Sequence, residues 1–323
     1  MARSNSLTPD RPDLEAIARR GGTLRRITAR IPTYLADLRE NPSWLPMFLL
    51  ARTMPARRAH WRGAKPARPV DLRSTIFADA KRGSIVESLR SDGIAAGLVV
   101  PSEICDEIAR FADKTRCFGN FDRRLEFLPV DHAKAEARFG RSILSGHYFE
   151  RIMPCEAVRK IQRDPLLLDI AGHYLGGQAR LITTRVWWSF PTGGAREADL
   201  RLASMDKYHF DLDDWRMLKF FFYLTPVDES SGPHVYVRGS HAQRILRHQV
   251  TLLVGHPADD VLGAYGAENA ITLAGPAGFG FVEDPFGFHM GTVAKRSPRL
   301  MMEVGFGVSP PSRRRFHGEP IVR

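Results

Sequence analysis

The feature that most constrains the fold of this chain is a change in the hydrophobic pattern near residue 179, where helical periodicity gives way to short β-rich runs. Turn residues separate these runs, and no amphipathic helical pattern is evident between them. Several strands at this spacing predict an antiparallel sandwich or a small barrel rather than a parallel α/β sheet. The runs are "ARLITTRVWWSF", "RMLKFFFYLT", "PHVYVRG", "ENAITLAG", "GFGFVED" and "RLMMEVGFGV".

The residues before this region are predicted to be mainly helical. The segment Ser84–Lys114 indicates a helix, a short strand, a turn and a second helix, because Asp92 and Gly93 interrupt the first apolar periodicity. The segment Pro154–Gly176 predicts a further helix that ends in a glycine pair. The predicted class is therefore α+β with a mainly β core and helices on its N-terminal side.

The first 70 residues carry most of the excess positive charge. They contain 14 Lys and Arg against 5 Asp and Glu, which gives this segment a net charge of +9 out of +11 for the whole chain. Apolar residues recur at helical spacing in 23–40, which predicts a basic amphipathic helix divided by Pro32. Such a helix can lie on an anionic membrane surface, dock a partner or pack on its own domain, and the sequence leaves these alternatives open. Residues 53–69 predict a proline-broken basic linker.

These patterns predict a basic helical extension at 1–70 and a main domain at 71–323, whose β core covers about 179–308.

Composition disfavours several classes of protein. Three widely spaced cysteines disfavour a disulfide framework and favour a reducing cytoplasm. The longest apolar runs fall far short of the ~20 residues of a spanning helix, and the N-terminus lacks the apolar core of a secretory signal. The sequence pI of about 9.9 supports only nonspecific attraction to nucleic acid, since no nucleic-acid-binding motif accompanies it.

His209 and Asp211 are the first candidate metal ligands. Alternate residues of a strand project from one face, so an imidazole nitrogen and a carboxylate oxygen can meet at one ion. The triplet alone is weak, because 11 histidines and 21 aspartates in 323 residues give about 0.7 such triplets by chance. A third ligand is available in His289, and two histidines with one carboxylate form the facial triad typical of non-haem Fe(II) oxygenases. Arg299, ten residues further on, can bind a carboxylate through two parallel hydrogen bonds.

The ordered segments "YHFDLDDWRMLKFFFYLTPVDESSGPHVYVRGSH" and "DPFGFHMGTVAKRSPRLMMEVGFG" resemble the phytanoyl-CoA dioxygenase family. The resemblance comprises the H-x-D triplet, the hydrophobic strand ending "YLTPVDESSGP", the "GSH" turn, the distal histidine and the arginine beyond it. Weaker similarity reaches back to "SLRSDGIAAGLVVP", so about residues 84–308 are covered. It implies a double-stranded β-helix, the jelly-roll or cupin-like fold.

The resemblance implies an Fe(II)- and 2-oxoglutarate-dependent dioxygenase that consumes O2 and releases succinate and CO2. His209, Asp211 and His289 would be the iron ligands, and Arg299 would hold the distal carboxylate of 2-oxoglutarate. Asp211 favours hydroxylation or desaturation, since halogenating relatives need a small residue there. The expected substrate is a small molecule, a lipid-linked group or a saccharide, while the prime substrate and the oligomeric state stay undetermined.

Two alternatives remain open at this stage. One is a non-catalytic jelly-roll module that binds a ligand or a partner. The other is a cupin-like metalloenzyme that uses no 2-oxoglutarate, for which the substitution Arg299→Ala would leave activity intact.

Further side chains near these motifs have two interpretations each. Lys219 shares a strand face with Phe221 and Tyr223, and it either reaches a cosubstrate or substrate carboxylate or extends to a sheet edge. The other candidates are Trp187 or Trp188 at the mouth of the site, His234 in the pocket, His241 as a structural residue of the "GSH" turn, Asp213 and Asp214 as solvated or substrate-contacting residues, and Arg296 as a weaker competitor of Arg299.

Overall fold

A computed structural model of the chain describes residues 44–177, 179–191, 207–251 and 255–309, together with the single positions 35, 38, 39, 42 and 200. By their internal contacts, Met1–Pro42 and Ser43–Arg323 form two separate compact units. The predicted amphipathic helix of residues 23–40 lies almost entirely outside the described residues. The description below concerns the second unit.

Helices cluster before the long strands, as the sequence predicts. The helix at 165–175 shows why its ends fall where they do: the Asp164 carboxylate accepts a hydrogen bond from the Leu166 N–H at 2.9 Å, and Gly176 ends the helix at φ 85°. The α-helices are α1 (Trp44–Leu50), α2 (Met54–Arg62), α3 (Arg82–Ser91), α4 (Ser102–Lys114), α5 (His132–Phe139), α6 (Glu156–Gln162), α7 (Pro165–Leu175), α8 (Leu246–Gln249) and α9 (Ala258–Tyr265).

The strands form two antiparallel sheets. In the described part of the chain the strands are β1 (Ile94–Val99), β2 (Cys117–Gly119), β3 (Glu126–Phe127), β4 (Ser145–His147), β5 (Arg180–Ser189), β6 (Met217–Tyr223), β7 (His234–Val237), β8 (Ala270–Leu273), β9 (Phe279–Glu283), β10 (His289–Gly291) and β11 (Arg299–Gly307). The larger sheet has the order β1-β9-β6-β11-β5-β4-β2-β3, and the smaller has the order β10-β7-β8. The six β-rich runs of the sequence correspond to β5, β6, β7, β8, β9 and β11.

Strand β6 shows how the two faces of the larger sheet are used. Phe221 and Tyr223 pack with Tyr236 of the smaller sheet, whereas Phe220 and Phe222 belong to the core under the helices. Every residue of β6 is buried, because one face meets the second sheet and the other meets the helical layer. Two antiparallel sheets packed face to face make an α+β jelly roll, which confirms the predicted fold class.

The segment predicted as a basic linker contains helix α2, which packs on the sheets. Arg57 of this helix is buried and donates to the Asp284 carboxylate at 3.2 Å. Met47 of α1 and Ala51, directly after it, pack in one cluster with Phe286. Residues 44–62 therefore belong to the same compact unit as the jelly roll, although the sequence placed them in the extension. The linker prediction was wrong because Pro55 stands in the first turn of α2, where its missing N–H costs nothing.

Two short helices, α8 and α9, lie between β7 and β8, where the sequence indicated strands and turns alone. Eight residues give α9 only two turns, which is too short for a distinct apolar periodicity. Among the described residues, no helix has the length and apolar character needed to cross a membrane.

Candidate metal centre

His209 and His289 are brought side by side by an isolated antiparallel bridge. Each residue donates its N–H to the carbonyl oxygen of the other at 2.9 Å, and the two ring centroids are 4.3 Å apart. Directly paired residues of an antiparallel pair project to the same side, so both imidazoles face the interior. The segment around His209 is a single bridge rather than the regular strand end that the sequence indicated, and Asp211 is fixed by an N–H bond to the Pro285 carbonyl at 2.8 Å.

The ligand atoms of His209, Asp211 and His289 all lie within 4.8 Å of one another. The Nδ1 atom of His289 contacts the Gly287 carbonyl at 3.0 Å, and Nδ1 of His209 contacts the Lys207 carbonyl at 3.4 Å. A carbonyl partner holds the proton on Nδ1 and leaves Nε2 as the ligand atom. The Nε2 atom of His289 is 3.8 Å from Oδ2 of Asp211. This donor set fits a divalent ion that keeps several positions open.

Lys219 is paired with the carboxylate of this group. Its Nζ lies 2.6 Å from Oδ2 of Asp211, 3.7 Å from Asp213 and 3.9 Å from Glu303. Burial alone raises the pKa of Asp211, but Lys219 and the two histidines outweigh it and hold that pKa below its usual range. The same carboxylates raise the pKa of Lys219 against the opposing effect of its own burial. Of the two interpretations of Lys219, the sheet-edge position is excluded, since the side chain is buried in a central strand.

A second layer of buried polar groups surrounds the three residues. His234 and Glu283 share a hydrogen bond of 2.8 Å, and the other oxygen of Glu283 is 3.8 Å from Nδ1 of His289. Burial raises the pKa of Glu283 to about 7 and lowers that of His234 to about 3 and that of His289 to about 4. Glu303 accepts from Arg185 at 3.2 Å. Because its pKa is lowered, the imidazole of His289 is neutral and keeps a lone pair available for a metal ion.

Sequence reasoning missed Glu283 and Glu303. The available signal was strand alternation: Glu283 shares a face with Phe281 of β9, and Glu303 shares one with Met301 of β11. Phe281 and Met301 both belong to the apolar cluster between the two sheets. A carboxylate on an otherwise apolar inward face is costly unless it meets a cation or a hydrogen-bond donor. That cost marks both glutamates as members of the buried polar layer.

Arg299 begins β11 and is almost fully buried. Its guanidinium donates to the Gly232 carbonyl and, at 3.1 Å, to the Ser189 hydroxyl, which lies directly opposite in the register of β11 with β5. Its Nε atom is buried and makes no hydrogen bond within the part of the chain that is described. Arg296 is exposed, so the structure separates the two arginines that the sequence compared.

The two tryptophans face opposite sides of β5. Trp188 is buried under the helices and donates from Nε1 to the Tyr148 hydroxyl at 2.9 Å. Trp187 lies on the inner face, packed against the cluster between the sheets, and Arg185 lies 4.9 Å over its ring. Trp187 is therefore the tryptophan on the side of the candidate metal centre.

The remaining side chains have structural surroundings. The imidazole of His241 lies against Gly93, where an added Cβ would be 2.5 Å from Nδ1. Asp214 is buried and accepts from the N–H groups of Val308 and Ser309 at 2.8 and 2.9 Å, which fixes the end of β11. The prediction that Asp214 is solvated was wrong, because the side chain is buried and its oxygens accept hydrogen bonds from the backbone.

No protein-family model and no curated protein matches this chain. Solved structures similar to it include the apo form of ThoJ, a non-heme monooxygenase, at 16% identity and a TM-score of 0.47, covering 74% of this chain and 80% of that one. HygX from Streptomyces hygroscopicus with nickel and 2-oxoglutarate bound matches at 13% identity and 0.47, covering 70% and 87%. The epimerase SnoN in complex with Fe3+, alpha ketoglutarate and nogalamycin RO matches at 14% identity and 0.46, covering 70% and 82%.

Proposed function

We propose that this protein is an Fe(II)- and 2-oxoglutarate-dependent dioxygenase of the phytanoyl-CoA dioxygenase type. The observation that carries the proposal is the convergence of His209, Asp211 and His289 within 4.8 Å inside a jelly roll, although His289 lies 80 residues beyond His209. Two neutral imidazoles and one ionised carboxylate are the facial triad of this enzyme class. When bound there, Fe(II) with 2-oxoglutarate and O2 would supply the oxidising chemistry, with release of succinate and CO2.

The surrounding residues prepare the ligands for such an ion. The carbonyls of Lys207 and Gly287 orient the two imidazoles, and Lys219 keeps the Asp211 carboxylate ionised in a buried position. Because Asp211 occupies the third ligand position, no space is left there for a halide. Hydroxylation of a small molecule, a lipid-linked group or a saccharide is therefore the proposed outcome.

Arg299 is the proposed anchor for the distal carboxylate of 2-oxoglutarate. A buried guanidinium whose Nε–H has no hydrogen-bond partner among the described residues is an incomplete donor set, and a carboxylate completes it. Its charge also contributes to lowering the pKa of His234, which places the guanidinium within electrostatic range of the polar layer around the metal ligands. Lys219 is assigned to Asp211 rather than to the cosubstrate, since its Nζ is already in contact with that carboxylate.

The decisive experiment measures succinate formed from 2-oxoglutarate by the purified, metal-reconstituted chain under O2, without added substrate. Wild-type protein should turn over slowly, and His209→Ala or Asp211→Ala should abolish turnover. Arg299→Ala should raise the KM for 2-oxoglutarate by at least about tenfold, because a charged hydrogen-bond pair is lost. His173→Gln, a half-exposed histidine on α7, is the matched control and should behave as wild type.

Each contrary result points to a specific alternative. If the wild-type protein binds neither Fe(II) nor 2-oxoglutarate, the non-catalytic jelly-roll module becomes the better interpretation. Metal binding with oxidation that needs no 2-oxoglutarate, and that persists in Arg299→Ala, would instead indicate a cupin-like metalloenzyme.

A further inference from the structure

A second group of possible metal ligands lies on α8, on α9 and on the short segment that leads into α9. The Nε2 atom of His248 and the Nδ1 atom of His256 both approach Oδ2 of Asp260, at 3.0 and 3.2 Å. Among the described residues, this is the other group whose histidine and carboxylate ligand atoms all fall within 4.8 Å. Both imidazoles are buried, while the Asp260 side chain is 31% exposed and accessible to water.

This group lies behind the candidate metal centre, on the outer face of the smaller sheet. His256 pairs with Tyr208 in an antiparallel bridge, with N–H···O distances of 3.1 and 2.7 Å. Neighbouring residues of an extended segment point to opposite sides, so His256 and Tyr208 face away from the side chain of His209. The ring of Phe288 lies 5.0 Å from that of His248 and 5.2 Å from that of His256, and Phe288 in turn precedes His289.

The two nitrogen–oxygen distances in this group are close to those around a tetrahedral zinc ion. With metal–ligand bonds of about 2.0–2.2 Å, adjacent ligand atoms of a tetrahedron lie about 3.4 Å apart. The observed nitrogen–oxygen distances need to lengthen by only a few tenths of an ångström. The second ring nitrogen of His248 lies 2.9 Å from the Tyr265 hydroxyl, which is the outer partner that metal-bound histidines usually have.

We propose that His248, His256 and Asp260 bind a second divalent ion of the zinc class, with water as the fourth ligand. The ion would tie α8 and α9 to His256, whose backbone bridges Tyr208. The inference does not depend on the proposed oxygenase activity. Arg247 also contacts Asp260, at 2.8 Å, and its charge opposes a cation. Because two of the three ligands are imidazoles, we expect an ion such as zinc there rather than magnesium or calcium, which prefer oxygen ligands.

The alternative for the same geometry is a hydrogen-bonded His–Asp–His network without metal. In that arrangement both imidazoles donate an N–H to Asp260, and the distances are ordinary hydrogen-bond lengths. The two arrangements differ in whether the group takes up zinc, so metal stoichiometry separates them.

The experiment uses the full chain without an affinity tag, stripped with a chelator, re-dialysed against zinc and analysed for zinc per chain by mass spectrometry. We expect two ions in wild type and in His173→Gln, a histidine that also contacts a carboxylate four residues away. We expect one ion in His248→Gln and in Asp260→Asn, which retain hydrogen-bonding groups and should keep the fold. Tyr265→Phe should weaken this site by about 10- to 100-fold without removing a ligand.

The double variant His209→Gln/His289→Gln isolates the second group, and Co(II) added to it should give the intense visible absorption of a four-coordinate site. Absence of that absorption, or a wild-type chain that binds one zinc ion and loses it in the double variant, would overturn the proposal. So would a second ion that persists in both His248→Gln and Asp260→Asn.

Discussion

Replacing Lys219 with methionine tests the central contact of the candidate metal centre. The substitution keeps most of the side-chain volume but removes the charge that lies 2.6 Å from Asp211. Both side chains are less than 10% exposed, so the loss leaves a buried carboxylate without its cation. Breaking a buried ion pair in this way costs about 3–5 kcal/mol. We expect a loss of that size in the free energy of unfolding of the metal-free protein.

A bound divalent ion should reduce that loss, because its charge compensates Asp211 in place of Lys219. If the loss falls by about 2–3 kcal/mol, thermodynamic linkage requires the variant to bind metal roughly 30- to 150-fold more tightly than wild type. Urea unfolding in chelator and in saturating Mn(II) under argon measures the first quantity. Calorimetric titration with Mn(II) measures the second.

Arg57→Met is the matched control for this experiment. Arg57 and Asp284 form another buried ion pair, with 3.2 Å between charged atoms, on the side of α2. Its loss should destabilise the protein equally with and without metal. If Lys219→Met also loses the same stability in both conditions, and its affinity for Mn(II) equals that of wild type, the assignment of Lys219 to the metal ligand is wrong.

Three further predictions follow from other contacts. Arg299→Gln keeps two donors but loses the charge, so the KM for 2-oxoglutarate should rise while metal affinity stays within about twofold, as measured by turnover and titration. Gly93→Ala should lower the free energy of unfolding by at least about 2 kcal/mol, since Gly93 has φ +82° and an added Cβ would lie 2.3 Å from the Tyr236 hydroxyl. Deletion of residues 1–62 should unfold the chain, as judged by circular dichroism, because Asp284 would then stay buried without Arg57; a stable truncated protein would contradict this.

The longer strands were predictable because their signal is local, whereas the strands of two or three residues, β2, β3, β4 and β10, were not predicted. In β6 the alternate residues meet different clusters, and in β11 every residue is buried, so both strands are mainly apolar, with Lys219 the charged residue within β6 and Arg299 and Glu303 those within β11. The motif of candidate site residues could also be identified from the sequence, since it depends on spacing along the chain. Its members are His209, Asp211, His289 and Arg299. Helix α2 was not predicted, because contacts remote in sequence hold it in place: Arg57 pairs with Asp284 across 227 residues, and Trp61 packs against the main core.

The sequence by itself determined the class of fold and the residues nominated for metal and cosubstrate binding, since periodicity and residue type are written locally. Only the tertiary structure decided which buried polar and charged groups meet one another. It paired Lys219 with Asp211, Glu283 with His234 and Arg185 with Glu303, and it separated the imidazoles at 209 and 289 from those at 248 and 256 by the thickness of a sheet. Electrostatic energies in a protein depend on distance and burial, and both are fixed only when the sheets pack.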